Sequence, residues 1–152
     1  MLTDAQIVEV VKTADEGEID AAKLAKSKAS DSRVKDFAKM MIEDHKANKK
    51  ESKKIAKNNN IKAENNDVAK NLKDDTKSKI KDLKQYKNAA FDKAYIDSQV
   101  AMHQQLLKDL DQTYIPTAQN ADLKSFLQDT RTHVQEHLSK AQEIQSAMAT
   151  SM

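Results

Sequence analysis

Val34-Lys35-Asp36-Phe37-Ala38-Lys39-Met40-Met41-Ile42-Glu43-Asp44-His45 is the stretch whose spacing decides the fold. Its apolar residues, Val34, Phe37, Ala38, Met41 and Ile42, recur at three and four positions, which puts them on one face of an α-helix. A strand would alternate every second residue, and this stretch does not. Asp31 or Ser30, just before it, can cap the first turn, because short oxygen-bearing side chains accept hydrogen bonds from free N-terminal amides. The same face continues through Asn48, Ser52 and Ile55 to Asn58-Asn59-Asn60, so helix B spans about 31–58.

The pattern repeats on either side. Helix A, about 4–28, carries Ile7, Val11, Ala14, Ala21 and Ala25 on one stripe. Helix C, about 88–111, carries Phe91, Tyr95, Met102, Leu106 and Leu110, and helix D, about 121–149, carries Leu123, Phe126, Leu127, Val134, Leu138, Ala141, Ile144 and Met148. Gln112 to Asn120, with Pro116, is expected to be a loop. The crossover, about 59–87, has only Val68, Leu72, Ile80 and Leu83 as large apolar residues after Asn65, too few for a full core helix, and predicts a short, partly exposed one. Short turns make A and B, and likewise C and D, antiparallel neighbours. The long B–C connection then gives an all-α, ferritin-like, up-down-down-up four-helix bundle with a partly helical crossover, a single domain over residues 1–152.

Composition agrees. Gly17 and Pro116 are the only glycine and proline, there is no Trp, and strand formers are scarce. Charged residues make up 33% of the chain yet the net charge is +2, which argues against a nucleic-acid partner. The lysines at 49, 50, 53, 54 and 57 read as a solvated helix face, with an anionic surface as the sharper alternative. Without cysteine there is no disulfide, thiolate site or Cys nucleophile. No apolar run approaches the roughly 20 residues of a membrane-spanning helix. Met1-Leu2-Thr3-Asp4 does not read as a signal peptide, so an exported form would carry a leader that this sequence lacks.

The informative residues break the apolar stripes. Glu18 does so in helix A, His45 in helix B, His137 in helix D, and Asp92, Tyr95, Gln99 and His103 share a face of helix C. Burying such groups without partners is costly, so four helices doing so implies a common purpose. Counted from the A–B turn at 1.5 Å per residue, Glu18 and His45 differ in level by about 6 Å. Counted from a C–D loop at 112–120, His137 falls opposite Asp92 or Tyr95, with His103 offset toward that loop and nearer the level of His45. A carboxylate–histidine site built from Glu18, His45, His137 and Asp92 or His103 suits zinc, iron, manganese or copper(II). The alternative is a buried hydrogen-bond network that binds nothing. His133, one turn before His137, reads as an exposed histidine, and the methionines as core filler. No His has Glu three positions before it, since Ile42, Val100, Thr130 and Val134 stand there, which disfavours a di-iron ferroxidase centre. No zincin, phosphate-loop, nucleophile-elbow or dinucleotide motif occurs.

Four stretches, Glu18 to Ala25, Val34 to His45, Phe91-Asp92-Lys93-Ala94-Tyr95 with Gln99-Val100 and His103, and Glu136-His137-Leu138, make the chain similar to a bacterial, mostly exported, ferritin-like family catalogued as domain-of-unknown-function family 4142. The family pattern falls on Glu18, Asp44, His45, Asp92, Tyr95, His103 and His137, with Asp44, Tyr95 and Gln99 as the supporting network. The resemblance implies a periplasmic or otherwise exported protein, the cytoplasm being the alternative, and no settled reaction. Three functions are open: a metal-binding or metal-handling protein of the envelope, a non-catalytic stress or interaction protein with a structural polar core, and an enzyme using a buried metal. The pattern names no protein partner or oligomeric state.

Overall fold

The computed structural model describes residues 1–150, and among them there are helices and no strand. Helix α1 is Asp4–Lys28, α2 is Ser32–Asn58, α3 is Asp67–Leu83, α4 is Asn88–Asp109, α5 is the single turn Ile115–Thr117 and α6 is Ala121–Thr150. Four of the starts are set by side-chain caps. Thr3 and Gln6 close a reciprocal capping box on α1, with Oγ1 accepting from the Gln6 amide at 3.2 Å and Oε1 from the Thr3 amide at 2.9 Å. Of the two candidate caps for α2, Asp31 takes the role, accepting from the Arg33 amide at 2.8 Å. Asn66 and Asn120 cap α3 and α6 through the amides of Ala69 and Leu123, both at 3.0 Å.

The predicted loop at 112–120 is mostly helical instead. Helix α4 runs into a π-helical stretch, Leu110–Tyr114, in which the Ile115 amide donates to the Leu110 carbonyl, and then into α5. Proline lacks an N–H, and in a regular helix its ring meets the carbonyl four residues back. The wider π turn before Pro116 relieves both problems, so the chain stays helical through it. The true turn is Ala118 to Asn120, and Asp4 pins it by accepting from the amides of Gln119 and Asn120 at 2.8 and 3.0 Å.

Side-chain pairs show how the helices run. Asp15 meets His45 while Asn59 meets Asp122 and Asp44 meets His137, so α2 lies antiparallel to both α1 and α6. Asp97–Gln145 and Asp111–Arg131 set α4 and its π extension antiparallel to α6. The segment after α2 returns along α1, where the Glu64 amide donates to the Ala5 carbonyl and Asn66 to that of Gln6. Helix α3 then runs parallel to α1, buries only Ala69 and Leu83, and ends where Lys28 Nζ donates to the Lys84 carbonyl.

The interior divides in two. Ala21, Ala25, Phe37, Met41, Phe91, Tyr95, Leu138 and Ile144 belong to one apolar cluster; Ile7, Val11, Ala56, Leu110, Leu123 and Leu127 belong to the other. Along α1, α2, α4 and α6, the buried polar residues Glu18, His45, His103 and His137 fall between these two clusters.

Gly17 sets how closely α3 approaches α1. A Cβ at this position would lie 2.9 Å from Thr76 Cγ2 and 3.0 Å from its Oγ1. Gly17→Ala should therefore lower stability by about 1 kcal/mol: the overpacking cost exceeds the ~1 kcal/mol that alanine gains in helix propensity. In a Thr76→Ala background the same change should stabilise. Urea unfolding of the four proteins checks the reversal of sign.

Candidate metal centre

Glu18, His45, His103 and His137 come from four different helices, and each is at most 5% exposed. One ring nitrogen from each of the three histidines lies within 4.8 Å of the others, and the ring centroids are 5.5, 5.7 and 6.4 Å apart.

Each ring is held through one of its nitrogens. His45 Nδ1 is 2.8 Å from Asp15 Oδ1, and Asp15 is itself fixed by Asn48 Nδ2 at 3.0 Å. Thr130 extends this chain, donating to Asn48 Oδ1 at 3.1 Å. His103 Nδ1 is 2.7 Å from the Gln99 carbonyl, one turn earlier on α4. His137 Nε2 is 2.8 Å from Asp44 Oδ2. All three partners are acceptors, so the held nitrogens carry the hydrogens. In the neutral rings the remaining nitrogens, His45 Nε2, His103 Nε2 and His137 Nδ1, present lone pairs, and all three are buried without a partner. Glu18 Oε2, the Tyr95 hydroxyl and both Gln99 side-chain amide atoms share that condition. Buried polar groups are nearly always paired, so seven unpartnered atoms among these six residues single out these side chains as candidates to hold a ligand.

The electrostatics follow from burial. Burial pushes the Glu18 carboxyl up from its usual range, opposed by His45 and the nearby Gln99 amide and reinforced by Asp15. Burial and the two neighbouring imidazoles bring His103 down to about 3, so it is neutral. His137 is lowered mainly by burial, against the pull of Asp44. Burial also disfavours a charged His45, but Asp15, Glu18 and Asp44 outweigh it and leave His45 raised.

Of the residues picked from sequence, His45, His103 and His137 meet, Glu18 lies near enough for its charge to act on His45, Asp44 orients His137, and Gln99 orients His103 through its main chain. Tyr95 is fully buried, edge-on to Phe37 and stacked on Phe91 with 6.2 Å between centroids in both cases. Asp92 is a correction. It is buried, but it stands three turns before His103, about 16 Å along α4, and holds the α1–α2 turn through Ser30 and Asp31. The expected pairing of His137 with Asp92 or Tyr95 fails for the same reason that the 112–120 loop does. Measured from the true turn at 118–120, His103 and His137 are both about 22–24 Å away and face each other. His133 is exposed, as expected. Sequence reasoning missed Asp15, although Val8, Val11, Asp15, Glu18 and Ala22 lie at helical spacing and put it on the buried face.

No curated protein and no solved structure matches this chain. Residues 1–144 match the family model described as a domain of unknown function, DUF4142, and the chain belongs to that family.

Proposed function

We propose that this protein binds one divalent transition-metal ion on His45, His103 and His137, with Glu18 as a carboxylate donor beside them. The supporting observation is the division of labour on each ring: one nitrogen is bonded to a fixed acceptor and the other is buried and free. That is how metal-binding histidines are oriented, the outer acceptor setting the tautomer and raising ligand basicity. A purely structural network would spend both nitrogens. Three imidazoles and a carboxylate suit zinc or copper(II), with iron and manganese as weaker fits. In a tetrahedral zinc site ligand atoms sit ~3.3 Å apart, so small ring rotations inward from the present spacing complete the shell. The centre has a single buried glutamate and no Glu-x-x-His pair, which supports metal holding over di-iron ferroxidase chemistry. The helix directions and the long α2–α4 connection support a ferritin-like four-helix bundle, and the family resemblance supports an exported, envelope location.

Metal content of protein purified without a histidine tag tests the reading: near one equivalent of zinc or copper is expected, and none after His45→Ala or His137→Ala. A metal-blind protein would favour the structural network.

Glu18 separates stability from binding. Its carboxyl is raised by burial, so the folded state favours the protonated form and stability falls as pH rises above the unfolded value of about 4.5. Metal-free Glu18→Gln should therefore be more stable than the parent at pH 7 by about 1–2 kcal/mol, converging toward pH 4 where both carry a neutral side chain. The same variant should bind zinc at least tenfold more weakly. Urea unfolding at the two pH values and zinc titration measure both effects.

A further inference from the structure

A cavity of about 470 Å³ opens between α3 and α4, over α1, and Glu18 and His103 are part of its lining. It exists because α3 is fastened to α1 rather than to α4: Asn66 bonds the Gln6 carbonyl, Thr76 sits against Gly17, and Lys28 bonds the Lys84 carbonyl. On α3, Val68, Leu72, Asp75, Thr76 and Lys79 all line the cavity. Their spacing of four, seven, eight and eleven positions from Val68 is one helical face. The face of α3 that would pack onto α4 instead borders empty space, opposite Met102 and Leu106. The walls are apolar, with Asp75, Lys79 and Asp109 supplying polar groups. Glu18 and His103, 4% and 2% exposed, each have an unpartnered atom, Oε2 and Nε2. An apolar chamber of this volume with a few convergent polar groups is the usual form of a small-molecule site.

We propose that this cavity binds a small molecule with an apolar body and one polar head able to ligate a metal ion. The body lies against Val10, Leu72, Met102 and Leu106, and the head reaches Glu18 and the metal held beside His103. The placement of the head rests on the metal reading above, whereas the body rests on the cavity alone. With the three histidines and Glu18 on the ion, such a head binds as a fifth ligand, a coordination number that zinc can reach.

The test compares octanohydroxamic and acetohydroxamic acids, which share a metal-binding head and differ in the apolar body, by calorimetry on the zinc-loaded full chain. Octanohydroxamic acid should bind at least tenfold more tightly and should move the methyl resonances of Leu72 and Leu106. Val68 is 40% exposed at the cavity wall, so Val68→Trp can narrow the cavity without disturbing the core. It should weaken the longer probe at least fivefold and leave the shorter one unchanged; Leu106→Trp should do the same from the opposite wall. Equal affinities for the two probes, with both leucine resonances unmoved, overturn the chamber and leave the metal site standing. No zinc uptake, with octanamide still moving those resonances, retires the metal reading and keeps the chamber.

Discussion

Zinc at a hundredfold excess over its dissociation constant should raise the melting temperature of this protein by about 5–10 °C, and His45→Ala, His103→Ala and His137→Ala should each abolish the rise. A ligand that binds only the folded state contributes RT ln(1 + [L]/Kd), ~2.7 kcal/mol at that excess. A chain of this length converts each kcal/mol into ~2–4 °C. All three histidines should matter because each supplies a different corner of the site from a different helix. The acceptors behind them should matter less: Asp15→Asn and Asp44→Asn should weaken zinc about 10–100-fold, since they orient the rings without touching the ion. Scanning calorimetry with zinc, with chelator, and with zinc restored makes the measurement. In the structural alternative, zinc changes nothing and each substitution costs about 1–3 kcal/mol by leaving a buried partner unsatisfied. His45→Ala separates the two cases most sharply, because it strands Asp15, which is 2% exposed.

Much of this was legible in the sequence because helical spacing is a strong, local signal. Helix α1 begins and ends where the apolar stripe of Ile7, Val11, Ala14, Ala21 and Ala25 does, and Asp31 announces α2 one residue ahead. The stripe-breaking residues were legible too, since Glu18, His45, His103 and His137 each replace an apolar residue at a repeat position. Relative height between helices was not legible. It depends on where the turn between α4 and α6 falls, and Pro116 signals a break that the π-helical stretch at Leu110–Tyr114 absorbs. Misplacing that turn slid α4 against α6 by about two to three turns and set Tyr95 or Asp92, in place of His103, opposite His137. Asp15 was missed for a different reason: a carboxylate on a helix face looks solvated until its partner, an α2 histidine thirty residues away, is placed against it.

The displaced Asp92 has a large effect of its own. Its Oδ1 accepts from the Ser30 amide at 3.0 Å, and its Oδ2 accepts from the Ser30 hydroxyl at 2.8 Å and the Asp31 amide at 3.0 Å. These donors belong to the turn that ends α1 and starts α2, so one α4 side chain, 3% exposed, ties three helices together. Its charge also sits at the N-terminus of α2, where the helix dipole favours an anion. Asp92→Ala should cost about 3 kcal/mol, because hydrogen bonds to a charged group contribute ~1.5–3 kcal/mol each, are not additive, and here leave two main-chain amides without an acceptor. Asp92→Asn should recover little. An amide offers one accepting oxygen where the turn presents donors to both, and its NH₂ would point at an N–H or O–H. Both variants should melt about 6–12 °C lower and still gain the full zinc-induced rise, since the histidine cluster lies at the level of His103, about three turns farther along α4. Loss of the zinc response in Asp92→Asn, at a temperature where that variant is folded, would put Asp92 back among the groups that govern metal binding.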